Sequence, residues 1–211
     1  VTISGEADAK TLQGKIFGRL IDVKRGKVVL SDHCLLKDNK NKRLAVDGGG
    51  ALRVASEGQC YMKSGCIENN ANVSLGGALR IEKGGLFCMT GGVIAHNSVT
   101  GIAAVDGFDG RGGAIYNAGT VRMEGGTIRH NTVSSWKEEE LEYGGVGGAI
   151  YNEGKCLIMG GAISGNKASV CGAAIYTTSH STLFIRGGIF LDNRDEDEHP
   201  LWIAGECRIG N

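Results

Sequence analysis

Proline is almost missing from this sequence: one residue of 211, Pro200. Aromatic residues make up only 6%, and no apolar run approaches the about 20 residues of a membrane-spanning helix. No insertion into a membrane is therefore expected of this segment. Net charge is missing as well. Lys and Arg total 23 and so do Asp and Glu, a balance with no overall field to draw nucleic acid or an anionic lipid surface. The scarcity of proline also excludes collagen, which needs it together with glycine at every third position.

Glycine is what the chain has in excess, at 36 residues of 211 against a usual share of about 7%. A flexible glycine linker would lack apolar residues, yet 41% of this chain is hydrophobic. A folded core with many tight turns satisfies both facts. Seven cysteines are present, an odd number, with no CxxC and no Cys/His zinc spacing. Free thiols suit a reducing compartment or the surface of an anaerobe. No signal-peptide pattern opens the chain, and Val1 and Asn211 read as boundaries inside a longer protein.

Internal repeats organise the rest. One unit runs from Gly112-Gly-Ala-Ile-Tyr-Asn117 through Val121-Arg-Met123 and Gly125-Gly-Thr-Ile128 to Asn131. The next runs from Gly147-Gly-Ala-Ile-Tyr-Asn152 through Cys156-Leu-Ile158 and Gly160-Gly-Ala-Ile163 to Asn166. Weaker copies begin at Gly49, Gly76 and Gly172, with a still weaker one over 20–39 and a truncated one near Leu201. The closing asparagines, Asn39, Asn70, Asn97, Asn131, Asn166 and Asn193, lie 31, 27, 34, 35 and 27 residues apart.

Helices of that period would place apolar residues at i, i+3, i+4 and i+7; these units instead alternate with period two and break at Gly-Gly. The pattern predicts an all-β, right-handed, single-stranded parallel β-helix of about six to seven coils, three short strands per coil. Equivalent residues should then stack about 4.8 Å apart. One interior column should hold Cys60, Phe87, Val121, Cys156, Leu183 and Cys207, and the next Met62, Met89, Met123, Ile158, Ile185 and Ile209. A third should hold Leu36, Ile67, Ile94, Ile128, Ile163 and Phe190. The asparagines read as a structural ladder in a turn that tolerates the left-handed conformation. One domain covers 1–211, with 1–19 an irregular first coil or a short helical cap and 20–211 the repeats. Cys34 and Cys66, near one corner of neighbouring coils, are the one plausible disulfide.

The GGAIYN…GG-x-I-x-x-N units resemble the repetitive β-helix regions of bacterial cell-surface, adhesin-like proteins. More distantly they resemble polymorphic outer-membrane autotransporter repeats, marked by GGAI and FxxN. GGAI stands intact at Gly112–Ile115 and Gly147–Ile150, but FxxN occurs once, at Phe190–Asn193. Isoleucine replaces the phenylalanine at Ile94, Ile128 and Ile163, which favours the broader adhesin-like class. The resemblance implies a monomeric extracellular or cell-surface segment without catalysis or cofactor. It would bind a glycan or a host or cell-surface protein, or act as a stalk, with no nucleic-acid partner.

The same fold carries polysaccharide lyases and glycoside hydrolases, so a fragment of such an enzyme is the other reading. Those enzymes need clustered carboxylates on adjacent coils, for calcium or for acid/base work. Here Asp22, Glu82 and Glu124 sit singly at corners, and the Arg53/Arg80 and Arg122/Arg208 alignments show no carboxylate in register. No catalytic residue and no metal site is expected; His96 and His130 share a column but lack a third ligand.

Binding residues are sought in what the repeat does not absorb. Two insertions, 98–111 and 132–146, leave the same corner on adjacent coils. They offer Phe108, Trp136 and Tyr143 beside Asp109 and several glutamates, a mixture suited to sugar stacking or a protein partner. The second insertion could instead fold back as a short helix. Tyr116, Tyr151 and Tyr176 align on three coils, continued by Arg80 and Arg53. Facing outward they would form an aromatic-cationic strip; facing inward they would be core.

Overall fold

The computed structural model describes residues 2–4, 11–14, 18–41, 48–101, 110–134, 136–138, 141–196 and 199–210. Among the described residues there is no helix. Three parallel sheets, of thirteen, seven and five strands, stack coil on coil as a β-solenoid. About five coils are complete, with partial coils at both ends. Every pairing between coils is parallel, a connection whose rule is the right-handed crossover.

One coil shows the plan. Leu79–Ile81 and Leu86–Met89 form two limbs of the largest sheet, which is continuous because Ile21–Ser31 and Leu52–Met62 span both limbs unbroken. Val93–Ala95 belongs to the seven-stranded sheet. Ser98–Thr100, a short strand after the ladder asparagine that the repeat pattern did not announce, belongs to the five-stranded one. At the start of the chain, Thr11–Gln13 pairs in parallel with Leu35–Lys37, so Leu12 lies in a strand and not in a helical cap.

The three interior columns stand in register as expected. Phe87 is flanked by Cys60 and Val121, Met89 by Met62 and Met123, and Ile94 by Ile67 and Ile128. All of these are buried in one core. Each methionine needs the glycine of the following coil. A Cβ on Gly92, Gly126 or Gly161 would fall 2.6 Å from the methyl of Met62, Met89 or Met123. The Gly-Gly step is thus partly a socket for the thioether below it.

The asparagine ladder is continuous. Oδ1 of Asn97 accepts the backbone N–H of Asn70 at 3.0 Å, and Oδ1 of Asn131 that of Asn97 at 2.9 Å. Oδ1 of Asn166 accepts the N–H of Asn131 at 3.0 Å, and Oδ1 of Asn193 that of Asn166 at 3.1 Å. The left-handed residue is not the asparagine but its predecessor: Asp38, Asn69, His96, His130, Gly165 and Asp192 all have φ between 53° and 62°. That turn swings the asparagine inward, where its amide replaces the missing strand ladder.

None of the seven cysteines is in a disulfide. Cys34 and Cys66 do not pair because the register sets Cys66 beside Leu35. Cys34 packs in the core, whereas the Cys66 thiol turns outward to Glu68 at 3.4 Å.

Candidate functional site

In the GG-A-I-Y-N strand, Ile and Asn point inward and Tyr outward. Ile115 and Ile150 lie in the core, while Tyr116 and Tyr151 form a separate cluster with Leu75. Register builds a column of seven outward residues: Asp22, Arg53, Arg80, Tyr116, Tyr151, Tyr176 and Trp202. The rings stack nearly parallel, with centroids 5.5, 5.2 and 6.4 Å apart from Tyr116 to Trp202. Neither simple reading of this column holds. It faces outward, yet Tyr116 and Tyr151 are only 8% and 6% exposed, because each ring covers its neighbour and Leu75 packs beside them. The faces a sugar would stack on are used up inside the stack, except at Trp202, which is 43% exposed.

The arginines of this column do have carboxylate partners, contrary to the expectation from spacing. Asp22 is in register with Arg53 and lies 3.3 Å from it, and Glu82 reaches Arg53 at 2.8 Å. Farther along, Arg111 sits over the Tyr151 ring at 5.4 Å and 3.7 Å from Glu153. Glu153 in turn accepts the hydroxyls of Tyr116 and Tyr151. These ion pairs, ring contacts and hydroxyl donations link several coils, as a rigidifying element requires.

Burial first, and then Glu153 for Tyr116, push the ionisation of both tyrosines well above the ordinary range. Burial also pushes the Cys60 and Cys156 thiols up to about 12. In each case the folded value exceeds the unfolded one, so the stability contributed is intact below the unfolded value and lost as pH rises. Thermal unfolding should therefore be level from about pH 6 to 8 and fall steeply above about pH 9, where unfolded thiols and then phenols ionise. A melting temperature unchanged up to pH 11 would contradict this.

The insertion residues are only partly visible. Phe108 and Asp109 lie outside the described residues, and so do the side chains of Trp136 and Tyr143. The backbone of the second insertion is an antiparallel hairpin, Trp136–Glu138 against Leu141–Tyr143, with Trp136 opposite Tyr143. It is not the short helix considered from sequence. Leu141 alternates with charged residues here, a period of two that suits strands.

A second surface escaped the sequence reading. On the limb containing Leu86–Met89, alternate residues face solvent and line an open groove of about 580 Å³. Tyr61, Cys88, Arg122 and Leu157 form its central line, flanked by Leu86, Thr120 and Lys155 on one side and Glu124 on the other. Arg122 and Glu124 are ion-paired at 2.5 Å. Lys27 lies over the Tyr61 ring at 4.2 Å, and Arg186 over that of Phe184, the next residue in the central line, at 5.3 Å. Arg208 follows Phe184 in that line, so Arg122 and Arg208 are three coils apart; Glu206 pairs with Arg208 at 2.9 Å. Register alone would place these positions on one face, as the complement of the interior columns, but their unlike side chains give no sign that the face is a shared surface.

His96 and His130 stack with ring centroids 5.3 Å apart. No group of three or more metal-ligating side chains occurs among the described residues. No helix there is long and apolar enough to cross a membrane.

Fold and surface together define a parallel β-solenoid repeat protein. Compared with protein families, curated proteins and solved structures, the chain matches none.

Proposed function

We propose that this chain is a non-catalytic, extracellular segment of an adhesin-like bacterial surface protein, binding a glycan or protein partner along its outer faces. The observation that carries this reading is the open groove on the largest sheet. It runs across four coils, from Tyr61 to Leu157, on a backbone fixed by parallel pairing at every rung. Its single carboxylate, Glu124, is held by Arg122 at 2.5 Å. General acid/base hydrolysis wants a pair of carboxylates about 5–10 Å apart, so the lining is suited to holding a chain and not to cutting one. The Tyr/Glu153/Arg111 network and the asparagine ladder stiffen the support behind it, which suits a stalk or a binding rod equally.

A polysaccharide panel tests the reading with two measurements on the same mixtures. Affinity electrophoresis should show retardation by at least one host or cell-wall glycan. Reducing ends and unsaturated products should stay at background after prolonged incubation; their accumulation would overturn the non-catalytic assignment.

A further inference from the structure

We infer that the groove face is a binding strip for a linear anionic polysaccharide, carrying carboxylate or sulfate groups, that lies along the solenoid axis. This rests on the binding reading above and narrows it to a ligand class. The chain as a whole is neutral, with 23 cationic and 23 acidic side chains. The outward side of this one limb is not. Among the described residues, Lys27, Lys63, Arg122, Lys155, Arg186 and Arg208 project from it, all exposed, against two acids, Glu124 and Glu206. Both acids are tied to arginines of the same face, at 2.5 Å to Arg122 and 2.9 Å to Arg208. Lys27, which has further contacts, is left out of the balance, and the other five cations against two acids leave an excess of three positive charges.

The arrangement is linear. Register places these six side chains on seven successive coils from Lys27 to Arg208, with only the Cys88 coil lacking one, so the charges span six intervals, roughly 30 Å at about 4.8 Å per rung. A compact anion would need convergent donors in a pocket; a row of cations in an open trough fits a polymer that repeats its charge. Between the cations lie Leu86, Leu157 and the Thr90, Thr120 and Thr182 hydroxyls, apolar and polar surface of the kind a pyranose ring presents in return.

Single-stranded nucleic acid, the other common polyanion, is held chiefly by bases stacking on open aromatic faces. Here Tyr61 and Phe184 each already carry a cation over the ring, from Lys27 and Arg186. The strip offers charge without stacking platforms.

The test uses the full chain with polygalacturonate as the carboxylated probe, dextran sulfate as the sulfated one, and neutral dextran and oligothymidylate as controls. Two variants are compared with the native protein: Lys155→Glu/Arg186→Glu on the strip, and Lys40→Glu/Lys167→Glu on the five-stranded sheet, which changes net charge equally. All four positions are exposed, so both variants fold. Binding to one or both acidic polymers should weaken as salt rises past about 0.15 M. The strip variant should lose about tenfold or more in affinity, the off-strip variant less than about twofold. Preference for the carboxylated or the sulfated probe assigns the anionic group. Equal losses in both variants, or tighter binding to oligothymidylate, would overturn the strip. Retention of neutral dextran or of a protein alone would overturn the ligand class and leave the binding reading standing. No retention of any probe or panel member would remove both.

Discussion

Asn131→Ala should cost about 3–5 kcal/mol of unfolding free energy, the largest effect expected of any single polar residue in the stack. Oδ1 of Asn131 accepts the buried backbone N–H of Asn97 at 2.9 Å. Its Nδ2 donates to the carbonyls of Ile94 and Arg129 and to Oδ1 of Asn166, each at 3.0 Å. Alanine strands a buried N–H, at about 1–3 kcal/mol, and forfeits the amide's donations at about 1 kcal/mol apiece. Leucine restores volume but no partner, so Asn131→Leu should be no better. Asn131→Asp separates the two roles. It keeps the acceptor for Asn97 but turns a carboxylate toward Asn166 and two carbonyls, which raises its folded ionisation range above the unfolded one. Its deficit should therefore be greatest at neutral pH and shrink below about pH 4, where a protonated acid donates again. Urea unfolding of the three variants at pH 7 and pH 3.5 checks this. A loss under 1 kcal/mol for alanine would mean that the ladder is decorative.

The residues of that ladder were readable in advance because they recur. An interior position in a solenoid must satisfy its counterpart on either side, so it repeats, and repetition is visible in one sequence. Cys60, Phe87 and Val121 differ in chemistry, yet each stands five residues ahead of a corner glycine, Gly65, Gly92 and Gly126, and that gave their register. Outward positions carry no such constraint. Tyr61, Cys88, Arg122, Leu157 and Phe184 follow one another on the groove without resemblance, and nothing in their spacing announces a shared surface.

Trp202 was missed for a related reason. Its coil lacks the Gly-Gly step, so the residue that extends the tyrosine stack carries no mark of its register beyond the Leu-Trp-Ile triplet facing Ile175–Thr177. The Arg53–Glu82 pair was missed because Glu82 reaches around a corner, by side-chain length and not by register, and the Arg53–Asp22 pair because the irregular first coil hid the register of Asp22. The cysteine pairing failed on facing: two residues near one corner sit on opposite sides of a sheet when their registers differ by one.

Gly113→Ala should be nearly as damaging as the loss of Asn131, and for a reason independent of conformational freedom. Gly113 does not have a positive φ. A Cβ there would lie 2.2 Å from the carbonyl oxygen of Gly148 on the next coil and 2.7–2.8 Å from the carbonyl group of Thr132. All three atoms are backbone, so no side chain can swing away. The two coils must part at a point where Gly113 donates its N–H to Gly147 at 2.9 Å. Overpacking of this kind costs about 1–3 kcal/mol in a deformable core and more against rigid backbone. About 3 kcal/mol or more is expected, with a matching fall in melting temperature. Gly26 is the control. Its φ is +79° but nothing lies within 4 Å of its Cβ position, so Gly26→Ala carries only the left-handed strain, about 1–2 kcal/mol. If the two alanine variants unfold at the same temperature, the glycines of this chain serve its turns alone. If Gly113→Ala is the weaker by several degrees, close coil contact is what the Gly-Gly step provides, and it explains why the second glycine recurs at Gly50, Gly77, Gly113 and Gly148, each with a neighbouring-coil carbonyl within 2.3 Å of its Cβ position.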